Sequence, residues 1–521
     1  MKRLFINAII WGRTDTAILT EGEKIYRIGM TEELQKEAES VDEVINLNGL
    51  FVCPGFIDSH LHLLEYGRYL ENVQLHNCTS KQEVLDLLKK QEKKLQEGEW
   101  LLGRGFNEGL FEDPQMPTKE DLDQISKERP IAVTRCCGHK MVVNSKALEL
   151  ANMDEDSMVE GGSIDFENGF LEETAITVLH DSWPAETEES IRKSILRGQQ
   201  ELNRYGITAV GSDDFMSITH DWRLVLDVMM KMAYRGELTV RVNEQCEFPS
   251  PEEFAAFLDE GYTTDIGDDL FRIGPLKIIA YGSLGARTAA LSKDYSDEQG
   301  NSGYMVYSRS ELETWVKLAS DYNMPVITHA IGDRTVREVL NVYDKYVIAG
   351  NLLHYGLVHC QIMTPAEIKR TIDLNLCCYF QSLFIDPDAK ILEARVGNKR
   401  AESCYPFRTL SEHVIACNGS DAPVETPDVM KGLQMAVTRR SLDGTAAMNP
   451  SECMDLSQAM RSYTLSGAEA FFASDRIGSL EEGKYADFAV LDRDITKLSA
   501  EEIHTAKVMM TVMNGETVFE K

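Results

Sequence analysis

The 521-residue chain has no apolar run approaching the ~18 residues that a membrane-spanning helix requires. It has no short internal repeat and no low-complexity tract, which excludes solenoid and linker-like architectures. Its start, MKRLFINAIIWGRTD, lacks the length and the small-residue cleavage site of a secretory signal and reads as a first strand. Eleven cysteines show no framework spacing, and the adjacent pairs Cys136-Cys137 and Cys377-Cys378 do not suggest regular disulfides. A reducing cytoplasm is therefore the expected location. Positive charge is scarce: 53 Lys and Arg against 85 Asp and Glu leave a net charge of -32. That balance argues against nucleic acid and anionic membranes as partners and fits a soluble acidic surface.

What is present is a large apolar share, 43%, enough for an extensive core. Eight strand-like runs follow one another, mostly separated by helical patterns. They are FIDSHLH, ITAVGSDD from Ile207, LTVRVNEQ from Leu238, LKIIAYG from Leu276, MPVITHAIGD from Met324, GLVHCQ from Gly356, LCCYFQS from Leu376 and VIACNGSDAP from Val414. Segments such as ESIRKSILRGQQELNRYG and RSELETWVKLASDYN fit between them as helices. Alternating β and α with eight strands predicts an α/β fold, a (β/α)8 TIM-type barrel, over residues 56–467. Residues 1–55 and 468–521 read as short strands broken by glycines, and predict one small composite β-sandwich domain built from both termini. The gap from about 63 to 185 is too long for a simple crossover. It predicts an insertion over the barrel mouth, containing helical EVLDLLKKQEKKLQEG and the strand-like runs WLLGRGFN and PIAVTRCCGH.

The chemistry sits at the strand ends. In PGFIDSHLHL, residues 54–63, His60 and His62 lie two apart on a strand and point to one side. The plain alternative is a pair of half-buried histidines; the later residues decide between the two. Strand four brings Lys277, strand five His329, strand six His359 and strand eight Asp421. The C-terminal ends of barrel strands converge on one mouth, so these six side chains form the parts of a two-metal site. His60, His62 and Asp421 would bind one ion, and His329 and His359 the other. Lys277 as a cation is no ligand, but a buried lysine of lowered pKa can react with carbon dioxide to give a carbamate that would bridge two ions, Zn2+ by default. Singly, each residue has an ordinary reading: a satisfied barrel histidine, an end-of-strand lysine, or Asp421 as a helix cap.

These motifs resemble the amidohydrolase superfamily, and within it the amidohydrolase 3, or YtcJ-like, branch. The resemblance is carried by PGFIDSHLHL (54–63), GHKMVVNSKAL (138–148), GFLEETA (169–175), LKIIAYGSLGARTAAL (276–291), THAIGDRTV (328–336), LVHCQ (357–361), GSDAPVE (419–425) and IGSLEEGKYADFAVLD (477–492). It implies Lys277 as the bridging ligand, and it implies a dimer. The family often has an aspartate just before the Gly-Ser of the fourth segment; here Tyr281 stands there, altering pocket polarity where substrate would bind. Glu173 matches a recurrent glutamate that would enter the metal site or touch substrate, with a surface helix position as the alternative. His139 would polarise a substrate carbonyl, or else make a structural hydrogen bond. Arg287 would bind a substrate carboxylate, and Asp333 either serves the site or caps a helix.

The expected reaction is metal-dependent hydrolysis of a C–N bond in a small molecule: an amide, an N-acyl group or a cyclic amide. A metal-activated hydroxide attacks, Asp421 serves as general base and then acid, and His139 helps hold the oxyanion. Two alternatives stay open: a single-metal deaminase of the same fold, which would not need Lys277, and a non-catalytic metal-binding relative.

Overall fold

The computed structural model describes all residues except 137, 138, 160, 161, 181, 220 and 281; the side chains of 37–39 and 177 also lie outside the description. Eight parallel strands run in sequential order around one sheet. They are β1 (Phe56–Leu61), β2 (Ile207–Ser212), β3 (Arg241–Cys246), β4 (Phe271–Ile279), β5 (Val326–Ala330), β6 (Gly356–His359), β7 (Cys377–Phe380) and β8 (Ala416–Asn418). Hydrogen bonds just past the end of β8 bring it back to β1. The Asp421 amide donates to the His60 carbonyl (2.8 Å), the Ser420 amide to the Asp58 carboxylate (2.9 Å) and the His62 amide to the Ala422 carbonyl (2.9 Å). Gly419 makes this approach feasible, since a Cβ there would fall 2.7 Å from the His60 nitrogen. The result is the nearly closed TIM-type barrel that the strand pattern predicts.

The interior is filled as such barrels require. Ile57, Ala209, Ile327, Val358, Cys377, Tyr379 and Cys417 pack together with Phe471, Ile477 and Tyr485. The two helices read from the sequence are present at Glu188–Arg204 and Arg309–Asp321. The second starts where Ser308 and Glu311 cap each other reciprocally, and it buries Leu312, Trp315, Val316 and Ala319. β4 begins several residues before LKIIAYG, because Gly274 and Pro275 are accommodated inside the strand instead of ending it.

Two further sheets use the chain ends. One has four strands from residues 2–46. The other has five and pairs Phe51–Pro54 with Phe488–Leu491. Phe5, Ile18 and Ile25 of the first share one apolar cluster with Val52, Phe488, Val490 and Val512 of the second. By packing, the chain forms two compact units, Met1–Tyr66 with Ile191–Lys521, and Gly67–Ser190. Both terminal sheets thus fall in the barrel's unit, to which Arg241 of β3 is tied by its ion pair with Asp487.

The second unit is built on a six-stranded sheet. Leu101–Phe106 and Ile131–Arg135 coincide with the two strand-like runs of the sequence; Lys140–Val143, Gly162–Asp165 and Phe170–Glu173 are additional. Glu173 therefore ends a strand instead of lying within a helix. No helix among the described residues is long and apolar enough to cross a membrane.

Candidate metal centre

The six residues from the strand ends converge. His60 Nε2 and His62 Nε2 lie 3.4 and 3.3 Å from the same oxygen of Asp421. The ligand atoms of these three all lie within 4.8 Å of one another. Lys277 Nζ is 3.2 Å from His60 Nε2 and 3.2 Å from the Asp213 carboxylate. His359 Nε2 faces His329 Nδ1 at 2.9 Å, and the His60 and His359 rings are 5.7 Å apart. Two of these residues hold left-handed backbone despite carrying side chains, His359 at φ 79 and Asp421 at φ 60. Such conformations cost about 1–3 kcal/mol each and persist where surrounding structure over-determines them. At Asp421 the bonds that close the barrel do so.

Each imidazole is oriented through its outer nitrogen. His60 Nδ1 donates to the amide oxygen of Gln245 (2.6 Å) and His62 Nδ1 to the backbone carbonyl of Asp213 (2.9 Å). His359 Nδ1 donates to the amide oxygen of Gln381 (2.8 Å) and His329 Nε2 to the Gly282 carbonyl (3.1 Å). The second nitrogen of each neutral ring then carries a lone pair. His329 Nδ1 and His359 Nε2 face each other at 2.9 Å, and with His359 protonated at Nδ1 both would present lone pairs to the space between them. A cation between them would be ligated by both, and this donor set fits a divalent metal held mainly by imidazole.

The electrostatics agree. Burial, reinforced by Lys277, holds His60 well below its ordinary range. Burial with the neighbouring His359 does the same for His329. Burial also holds His359 down to about 4, with Asp421 opposing it and Lys277 assisting. All three are neutral at physiological pH. His62 is the exception: burial works against its charge, but its bond to Asp421 and the charges of Asp213 and Asp421 raise it to about 10. Burial likewise opposes the charge of Asp421, yet the His62 bond and the surrounding imidazoles hold its carboxyl far down. His62 and Asp421 thus form an imidazolium–carboxylate pair, whose proton an entering metal ion would replace.

Of the other residues singled out in the sequence, His139 and Glu173 meet each other, with Nδ1 and carboxylate 3.1 Å apart and both exposed. Glu173 has φ 53. Arg287 is engaged by Asp297 at 2.9 Å and Glu298 at 3.3 Å. Asp333 begins the helix Asp333–Tyr346 and accepts a bond from the Ser292 amide (2.8 Å). Tyr281 lies outside the described residues.

Sequence reasoning did not reach Asp213, Gln245 and Gln381, all buried beside the ligands. The polar clusters SDD and NEQ at the ends of β2 and β3 were the available signal. Gln381, after an apolar strand, had none.

The comparisons with known proteins agree with this fold. The model of the amidohydrolase family matches residues 43–519, and the chain belongs to that family. A Bacillus subtilis (strain 168) protein named as the amidohydrolase YtcJ is 29% identical over 98% of this chain and 97% of its own length. The N-substituted formamide deformylase of Arthrobacter pascens is 25% identical over 97% of this chain and 95% of its own. Among solved structures, an uncharacterized metal-dependent hydrolase from Pyrococcus horikoshii OT3 superposes with a TM-score of 0.80 at 27% identity, covering 96% of this chain and 99% of that one. The protein is accordingly a member of a hydrolase family whose structural neighbours are metal-dependent.

Proposed function

We propose that this amidohydrolase cleaves the C–N bond of a small amide, N-acyl compound or cyclic amide, using two divalent ions, zinc by preference. The observation that carries the reading is the meeting of Lys277 and His60, 3.2 Å apart, beside the facing ring nitrogens of His329 and His359. His60, His62 and Asp421 would hold one ion and His329 with His359 the other. Lys277 would serve both as a carbamate, formed when its neutral amine adds to carbon dioxide and loses a proton. Ions held this way acidify a water from ~15.7 to about 7 and polarise a carbonyl.

The remaining work falls to the chain. Asp421, kept ionised by His62, takes the proton of the attacking water at its carboxylate and returns it to the leaving nitrogen. His139 is assigned to the substrate carbonyl, and Glu173 and Arg287, with Tyr281, to substrate contacts. The name of the Arthrobacter relative supports a formyl or acyl group on nitrogen as the class to test first. The acidic charge supports a small-molecule substrate in place of nucleic acid or membrane, and the cysteine pattern a cytoplasmic setting. A homodimer is proposed on the family resemblance.

The test joins metal analysis to turnover on N-acyl amino acids, formamides and cyclic amides. Two ions per chain and turnover of one of these classes are expected, with Lys277→Ala losing one ion and most activity. Ammonia released from aminated heterocycles by a one-ion protein would replace this reading with the deaminase. A chain that takes up no metal and turns over nothing would leave a non-catalytic relative.

A further inference from the structure

Two of the four site histidines are oriented by backbone carbonyls, but His60 and His359 rest on glutamine side chains, both fully buried. An amide can present either end, so what holds the glutamine decides which nitrogen of the imidazole carries the proton. Gln245 donates from Nε2 to the Ser59 carbonyl (2.9 Å), and Gln381 from Nε2 to the Tyr379 carbonyl (3.4 Å). A carbonyl cannot donate, so in both residues the NH2 end is committed and the oxygen faces the ring. The ring nitrogen opposite that oxygen must then be N–H.

Gln245 also has to cross a strand. It stands on β3, yet it contacts Ser59 and His60 on β1, and β2 lies between them. The crossing point is Gly211 of β2. A Cβ there would lie 2.4 Å from Gln245 Nε2 and 2.4 Å from the Ser59 oxygen, inside the bond that holds the amide.

We propose that Gln245 and Gln381 are positioning residues that lock His60 and His359 as Nδ1–H tautomers and so aim both Nε2 lone pairs at the cation site, with Gly211 as the opening in β2 through which Gln245 reaches. The proposal rests on the metal-centre reading above. Glutamine suits the task because its oxygen accepts from the imidazole while its own NH2 anchors it, and it adds no charge beside Asp213 and Asp421. Glutamate would accept equally well but has no proton for Ser59.

The experiment uses the full chain labelled with 15N-histidine. Ring-nitrogen shifts are recorded on the metal-free protein, and zinc affinity is measured by competition with a chromophoric chelator. In the wild type, His60 and His359, each identified by substitution among the histidine signals, are expected as pure Nδ1–H tautomers. Gln245→Met keeps the volume and removes the amide; it should give His60 as a tautomer mixture and weaken zinc binding about 10–100-fold, the range seen when the partner of a metal-bound histidine is lost. Gly211→Ala should reproduce that change without touching the glutamine, and Gln381→Met should do the same at His359. Gln245→Glu should retain the Nδ1–H tautomer and recover most of the affinity.

A pure Nδ1–H signal for His60 in Gln245→Met, or unchanged zinc affinity in that variant, would overturn the proposal. So would an Nε2–H tautomer at either ring in the wild type, a readout that stands even where a variant does not fold. If the wild type binds no zinc, the metal-centre reading fails, while the tautomer spectra still decide the role of the glutamines.

Discussion

The two ends of the barrel treat buried polar groups in opposite ways. At the start of the strands the buried Arg241 and Asn351 are fully engaged. Arg241, the first residue of β3, bonds Asp487 through two nitrogens at 2.7 and 3.1 Å, donates to the Asp269 carbonyl at 2.8 Å and lies over the Tyr485 ring. Asn351 donates twice, to the carbonyls of Tyr355 and Asn375, and accepts from the Tyr355 amide. At the other end, one carboxylate oxygen each of Asp213 and Glu244 is buried with no partner among the described residues. Buried polar atoms are rarely left unsatisfied without a reason. Arg241 and Asn351, then, tie the strand starts into the fold, while the unpartnered oxygens of Asp213 and Glu244 lie at the end proposed to take a ligand.

The largest effect that would sharpen this contrast is at the open end. Asp421→Asn keeps size and removes the proposed base, and should lower kcat/KM at least ~10³-fold, within the range for a general acid–base residue. A loss under tenfold would remove Asp421 from proton transfer. At the closed end the effect should move from activity to stability. Arg241→Ala leaves Asp487 buried without its partner, and should cost about 3–5 kcal/mol in urea unfolding while kcat per folded molecule stays constant. Equal damage to kcat would break the division between the two ends.

The smallest effect concerns Glu425, just past the Asp421 turn. Burial, with Asp386 and Asp388 adding to it, raises its carboxyl to about 7 from an ordinary 4.5. Folding therefore takes up a proton between those values; the site's stability is fully present below pH 4.5 and is lost as pH rises through 7. Glu425→Gln should stabilise the protein on the order of 1 kcal/mol at pH 8 and have no effect near pH 4. A gain that is the same at both values would show that charge at this position is not the cause.

Much of the barrel was legible in sequence because its signals are local. Apolar runs of four to eight residues marked all eight strands, and their terminal His, Lys and Asp residues stood out chemically. What escaped depended on neighbours distant in the chain. Pro275 reads as a strand breaker but sits inside β4, and GFLEE reads as part of a helix until Lys140–Val143 pairs with it. Of the adjacent Asp213 and Asp214, only pairing at the end of β2 decides that Asp213 meets Lys277 while Asp214 is taken by the Leu64 amide.

By itself the amino-acid order determined which elements form and which residue types stand at their ends, because side-chain periodicity and donor chemistry belong to each short segment. Only the folded barrel decided which nitrogen of His60 and of His359 faces the centre. That choice is made by an acceptor on or just past another strand, 185 positions away for His60 and 22 for His359, and no local pattern encodes a hydrogen bond across such a separation.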